Sequence, residues 1–339
     1  MARDEQVERF ACFGSRCTVL VSGADATRSA SAAALAARRS LELWHEQFSR
    51  FLPDSELSRL NADRRREVPV SRLLARLVAA IGGAGRLSGG LVDATLIEPL
   101  QAAGYEHDLG EPLELARALA LAPARKPASA SRARAWSKLE VDLRSSVVTR
   151  PPGLQIDSGG LAKGLFADVL AARLARHRSF AVDCAGDLAL GGDAGAARRV
   201  EVESPLDGSV LHTFELRSGG VATSGIARRS WLDGDGRPAH HLLDPASGRP
   251  AFTGIVQATA LAPSALEAEI RAKCALLAGP RTARAQLPHG GVVVLDSGAH
   301  LVFEPQPSVT LAELSSFGRG LSGAGAPRTS RASSDIIAA

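Results

Sequence analysis

The chain has 339 residues, 45% hydrophobic and 22% charged, a balance that suits an ordinary globular protein with one large domain or two lobes sharing a cleft. Its apolar runs are short and broken by Arg, Asp or Gly, which excludes a membrane-spanning helix; the start, Met1 to Gln6, lacks the apolar core of a signal peptide, so a cytoplasmic location is expected. A net charge of +4 and a pI near 9.2 favour anionic ligands but are too diffuse for a nucleic-acid surface, and four scattered cysteines (Cys12, Cys17, Cys184, Cys274) without a C-x-x-C pair argue against zinc or a disulfide framework.

Residues 10–22 read as an opening strand that ends at Ser22-Gly23. An Ala/Arg-rich helix follows from about Thr27, with Leu41, Trp44, Phe48 and Phe51 on one face, and Pro53-Asp54 stops it. Ser55 to Asn61 is a short helix or turn, and Ser71 to Leu87 a second long helix ending at Gly89-Gly90. Residues 108–138, rich in Ala, Arg and Pro, are read as a mostly exposed insertion with some helix.

Val141 to Thr149 alternates like a strand. Leu154 to Gly164 then reads as strand, glycine turn and helix, with Leu161, Leu165, Val169 and Leu174 on the buried face. Short strands are expected at 180–184, 188–191, 199–203, 211–216, 220–223 and 255–261, a helix at 264–278, and strands around 292–295 and 301–303. Grouped strands with helices between them make the class α+β. From about Gly318 the composition turns to Gly, Ser, Ala, Arg and Thr, which reads as a disordered tail.

Two segments carry chemistry. The turn Asp157-Ser158-Gly159-Gly160 opens a helix with Lys163 in its first turn. As a phosphate cradle, its glycines admit an anion to the backbone, helix-start N–H groups point at it, and the lysine adds a charge; the plainer alternative is a structural strand-to-helix turn. Only four of the 40 basic residues are lysines (Lys126, Lys138, Lys163, Lys273), so each stands out. The second segment, Ala222-Thr223-Ser224-Gly225, leads through Arg228-Arg229 to His241-Leu242-Leu243-Asp244-Pro245, which puts His241 at a strand end feeding a turn. There it serves either as a proton shuttle or as an ordinary core or surface histidine. Thr-Ser-Gly lacks the context of a serine-hydrolase nucleophile elbow.

These segments resemble, in this order, the ApbE-like FAD:protein FMN transferase family. The resemblance covers roughly residues 10–305 and is carried by Phe13-Gly14-Ser15, Phe48 to Asn61, Gly90 to Thr95, Ile156 to Gly164, Ala185-Gly186-Asp187, Ala222 to Gly225 and His241 to Pro245. It implies a two-lobed single domain of mixed α/β type, with mixed sheets flanked by helices, over 10–317, an N-terminal extension at 1–9 and the tail at 318–339. It further implies FAD as substrate in a crevice, bound by Phe13, Leu91, Val92, Asp93, Asp157, Gly159, Gly160, Lys163, Thr223, Ser224, Gly225, Leu243 and Lys273. A threonine or serine hydroxyl of an acceptor flavoprotein or redox-complex subunit would attack the FMN-side phosphorus and expel AMP. Lys163 would neutralise charge, and His241, oriented by the turn at Asp244, would be the base or proton shuttle, with Asp244 counted among the catalytic residues. An FAD pyrophosphatase and a flavin binder with weak or lost activity are the alternatives.

The chain departs from the family where that resemblance puts magnesium. The family's helix begins alanine-aspartate, with a threonine four residues after the aspartate; here Ala268-Glu269 is followed by Lys273. Gly160 and Glu269 are the candidate metal ligands, since glutamate is still a hard oxygen donor. The competing expectation puts the Lys273 ammonium in the ion's place, paired with Glu269 at i,i+4; the plain alternative is an exposed helix pair. Phe13 stands where the family usually has methionine, and Ala185 where it often has glycine. Leu321 to Gly325 is a loose echo of a flavin-acceptor segment.

Overall fold

The computed structural model describes residues 5–107, 110–193, 197–305 and 336–338. Its centre is an eight-stranded sheet whose spatial order follows the chain: β1 (Glu5–Cys12), β2 (Ser15–Ser22), β3 (Ser179–Asp183), β4 (Asp187–Gly191), β5 (Gly219–Gly225), β6 (Ile255–Ala262), β7 (Gly291–Leu295) and β8 (His300–Phe303). Every neighbouring pair is antiparallel. Parallel pairing among the described residues occurs where Ile336–Ala338 lies beside Arg198–Glu203. The rest of the tail, including Leu321 to Gly325, lies outside the described residues.

The opening strand of the sequence reading is in fact a hairpin. Cys12 faces Ser15 across a two-residue turn, Phe13-Gly14, with φ +55° and +70°. Positive φ at both turn positions matches the right-handed twist of the strands, so the chain reverses there instead of running on. Residues 5–9, expected as an extension, pair with β2 from Glu5 onward.

Between β2 and β3 the chain builds one lobe. Helix α1 (Ala30–Phe48) starts where the Ser29 hydroxyl accepts the Ala32 N–H at 3.2 Å, and it buries Ala33, Ala34, Ala37, Leu41, Trp44 and Phe48 at helical spacing. It ends at Ser49, so Phe51 lies beyond it. Helix α2 (Arg72–Leu87) is capped by Ser71 and packs with α1 and α3 (Ala162–Leu174) into the largest apolar cluster. A second cluster joins β6, β7 and α4 (Ala265–Ala278). The insertion at 108–138 is largely exposed, yet Leu115, Ala118 and Trp136 are buried, and Lys126 and Ala128 donate backbone N–H bonds to Phe252 and Leu277.

Leu154 to Asp157 pairs with no strand, contrary to the sequence reading. Side chains replace the ladder: Asn61 brackets Ile156, donating to its carbonyl and accepting its N–H, both at 2.9 Å. The fully buried Arg150 donates to the carbonyls of Leu60, Asp63 and Leu154. An amide or guanidinium can satisfy backbone groups that hydropathy alone assigns to a sheet.

Two glycines set the approach of α4. A Cβ on Gly164 would lie 2.8 Å from Ala265 O and Leu266 Cα, and one on Gly220 would lie 2.2 Å from Ser264 C. The N-terminus of α4 is thus drawn against α3, where Asp168 accepts the Ala265 and Leu266 N–H groups at 2.8 and 3.0 Å. A carboxylate at a helix start satisfies orphan donors and complements the dipole.

The turn joining β3 to β4 carries a measurable cost. Ala185 sits at φ +58°, ahead of Gly186 at +96°, in the left-handed region disfavoured for residues with a Cβ. Ala185→Gly is expected to raise stability by about 1 kcal/mol, seen as a melting temperature about 1–2 °C higher. An unchanged or lower value would show that the turn is not strained.

Candidate functional site

A cleft of about 660 Å³ opens beside the lobe built between β2 and β3, near the middle of the range of small-molecule pockets. The hairpin turn contributes Phe13, whose ring meets His45 edge-on at 5.2 Å and Phe166 at 5.9 Å. Leu91, Val92 and Asp93 follow the double glycine that ends α2, and Leu243 enters from the far side. The turn before α3 supplies Asp157, Gly159 and Gly160, and the first turn of α3 supplies Lys163. His241 and Lys273 line the same space. Lys163 and His241, 78 positions apart by their numbers, therefore face one cleft.

The remaining expected residues lie elsewhere. Thr223, Ser224 and Gly225 belong to β5 and do not line the cleft; the Thr223 hydroxyl shares a 2.8 Å hydrogen bond with Thr259 on β6. A mid-sheet position spends their backbone groups, and the Thr223 hydroxyl, on β6. Asp244 does not reach His241 either. Its carboxylate accepts the N–H groups of Ser129 (2.8 Å) and Ala246 (3.2 Å) and the Ser247 hydroxyl (2.7 Å), so it closes the turn below the histidine.

The floor is a set of buried charges. Lys163 Nζ lies 2.5 Å from Asp187 Oδ2, with that carboxylate only 1% exposed. Lys273 Nζ donates to Glu269 Oε1 at 2.9 Å, and Glu269 Oε2 accepts the Gly164 N–H at 3.0 Å. That second bond exists because glycine at 164 lets α3 and α4 touch. Burial pushes the Lys163 ammonium down, but Asp187 and Glu269 outweigh it and the net shift is upward. Burial, then Asp187, raises the Glu269 carboxyl, against Lys273 and Lys163. His241 is driven well below the ordinary histidine range by burial, then by Arg229, His240 and Lys273, so it is a neutral imidazole at pH 7. Its buried Nδ1 has no hydrogen-bond partner. His240, stacked edge-on against Phe252 at 4.8 Å, is also held neutral, at about 3, by burial.

Sequence reasoning missed two arginines. Arg50 lies over the rings of Phe51 (4.2 Å) and Tyr105 (4.6 Å), donates to Tyr105 O at 2.7 Å, and approaches Asp157 at 3.6 Å. Arg229 reaches the Phe13 carbonyl at 3.2 Å and lines the cleft. Arginine is so common in this chain that neither stood out; the aromatic neighbours Phe51 and Tyr105 are 54 positions apart, which conceals the stack.

Three of the amides expected to cradle an anion are used inside the protein. Leu161 and Ala162 donate to Ser158 O, and Gly164 to Glu269.

Behind this floor, Asp183 is raised to about 7 by burial, partly offset by the Gly186 N–H and reinforced by Asp187. A carboxyl whose folded value lies above its unfolded one contributes most below about pH 4 and loses that contribution as pH rises through 7. Asp183→Asn removes the titration. Its melting temperature relative to the wild type is therefore expected to rise between about pH 5 and about pH 8; a constant difference would contradict the assignment.

Comparison with known proteins agrees with this architecture. The ApbE protein of Thermotoga maritima superposes with a TM-score of 0.72 at 24% identity, covering 91% of this chain and 99% of that one. Pseudomonas stutzeri flavinyl transferase ApbE gives 0.69 at 24%, covering 94% and 99%. At this identity they show the fold. In sequence, a FAD:protein FMN transferase of Salmonella typhimurium is 29% identical over 238 residues, 65% of this chain and 64% of the relative. One from Escherichia coli is 30% identical over 149 residues, 42% of each. The match thus spans slightly under two thirds of the first relative and less than half of the second. The model of the ApbE family matches residues 13–295, most of the length described, and the chain belongs to the ApbE family.

Proposed function

We propose that this protein transfers FMN from FAD to a threonine or serine hydroxyl of an acceptor protein, with release of AMP. The observation that carries this reading is the convergence of Lys163, Lys273 and the neutral His241 on one cleft walled by Phe13 and Leu91 to Asp93. The named relatives supply the reaction; the residues supply a mechanism. The acceptor oxygen bonds to the FMN-side phosphorus, the bond from that phosphorus to the bridging oxygen breaks, and AMP departs with the bridging oxygen. Charge grows on the phosphoryl oxygens, where preformed cations stabilise it without reorganising. Lys163 holds such a charge in place through Asp187. His241, a neutral imidazole that lines the cleft, takes the hydroxyl proton. Phe13 and Phe51, both half-buried in the cleft wall, offer apolar surface to a flat ring.

The residues do not fit a magnesium ion. Both Glu269 oxygens are engaged, one of them by the Lys273 ammonium, and a Cβ on Gly160 would lie 3.7 Å from Lys273 Cε, so a fixed cation already stands beside both candidate ligands. Among the described residues no group of three or more His, Cys, Asp or Glu side chains is arranged to hold a metal. No step is therefore assigned to a metal. No described helix is long and apolar enough to cross a membrane; a cytoplasmic setting, which free buried thiols suit, belongs to the same proposal.

The test is incubation with FAD and candidate flavoprotein domains, followed by intact-mass measurement and assay of AMP. Acceptor mass increased by one FMN phosphoryl unit, with stoichiometric AMP, is the expected result. FMN released free in solution would identify a pyrophosphatase, and FAD binding without AMP a flavin carrier; either overturns the transferase reading.

A further inference from the structure

We propose that the Lys273 ammonium is a built-in counter-cation for the diphosphate, so that this site binds FAD without a divalent metal. The inference rests on the flavin reading of the cleft and deepens it.

Three observations carry it. First, Lys273 lines the cleft although its side chain is only 10% exposed, so its charge is presented from below. An ammonium in such a place is held by partners, and one is fixed: Glu269 Oε1 at 2.9 Å, one helical turn back on α4. Second, Glu269 is itself immobilised, fully buried with its other oxygen on the Gly164 N–H. The contact between α3 and α4 thereby aims Lys273 at the segment that begins α3. Third, the stem lies against Gly160, where a Cβ would come within 3.7 Å of Lys273 Cε, which puts the ammonium beside the glycine turn.

The charges decide the preference. Around the cleft, Arg50, Lys163, Arg228, Arg229 and Lys273 outnumber the carboxylates Asp93 and Asp157 together with the buried Asp187 and Glu269, each of which already holds one ammonium. A divalent ion entering here would meet a fixed cation and find both Glu269 oxygens taken. An anion would meet a surplus of positive charge in a site of low dielectric, where a charge-assisted hydrogen bond is at its strongest. Lysine suits the role because its compact ammonium acts as a point charge with three donors. One is spent on Glu269, and the others remain for phosphate oxygens.

Titration of the purified full chain with FAD, followed by flavin fluorescence, tests this directly. The affinity is expected to be the same in excess chelator and in excess magnesium, and paramagnetic resonance is expected to find no manganese bound stoichiometrically to the protein–FAD complex. Lys273→Met should weaken FAD binding about 10- to 100-fold. Lys273→Met/Glu269→Gln, which leaves no unpaired buried charge and keeps an acceptor for Gly164, should bind as weakly while folding normally. Binding that requires magnesium, stoichiometric manganese, or wild-type affinity in the double variant overturns the built-in cation and leaves the flavin reading standing. No FAD binding under any condition overturns both.

Discussion

Replacing Glu269 with alanine is expected to lower the unfolding free energy by about 3–5 kcal/mol, the usual cost of stripping the partner from a buried ion pair. The cost is set by what remains. Lys273 would keep its charge in a site that is 10% exposed and shared with Lys163, and the Gly164 N–H would lose its acceptor. Lys273→Met in the same background removes the stranded ammonium and is expected to recover most of the loss, because two groups in one network do not contribute additively. Denaturant melts of the wild type, both single variants and the double variant complete the cycle. A single-variant cost of no more than about 1 kcal/mol, typical of an exposed pair, would show that the pair is solvated rather than buried.

The second large effect is on chemistry. Lys163→Met is expected to reduce transfer about 10²- to 10³-fold, the range found when one preorganised donor to a developing oxyanion is removed. The same change strands Asp187, which is 1% exposed, so loss of activity could follow from loss of structure. Lys163→Met/Asp187→Leu separates the two: neither buried charge remains, and the variant is expected to regain a cooperative melt without regaining transfer. Recovery of activity in that double variant would reduce Lys163 to a structural partner of Asp187.

Much of the fold was legible because burial is periodic. The faces of α1, α2 and α3 and the short strands from β3 to β8 were marked by apolar spacing, and observed ends differ from expected ones by a few residues. Three misreadings share a cause. The chain reverses at Phe13-Gly14 inside the expected opening strand, Val141 to Thr149 is two antiparallel strands (Glu140–Asp142 and Val147–Thr149) rather than one, and Leu154 to Asp157 looks like a strand but is paired by Asn61 and Arg150. Hydropathy reports which residues leave water, not which partner meets their backbone.

The site divides along similar lines. Phe13, Leu91 to Asp93, Asp157, Lys163, His241, Leu243 and Lys273 were placed by motif order and converge as expected. Thr223 to Gly225 and Asp244 did not, since a sheet position and a turn consume their polar groups locally.

By itself, the sequence determined the elements, the family resemblance and the scarcity of lysine that drew attention to 163 and 273. The i,i+4 spacing also offered Glu269 as the partner of Lys273. Only the tertiary structure decided that Lys163 meets Asp187, 24 positions away at the start of β4, and that the second oxygen of Glu269 binds Gly164 from 105 positions away. Such contacts depend on how closely two helices approach, which a missing Cβ at Gly164 permits and no local pattern in the chain encodes.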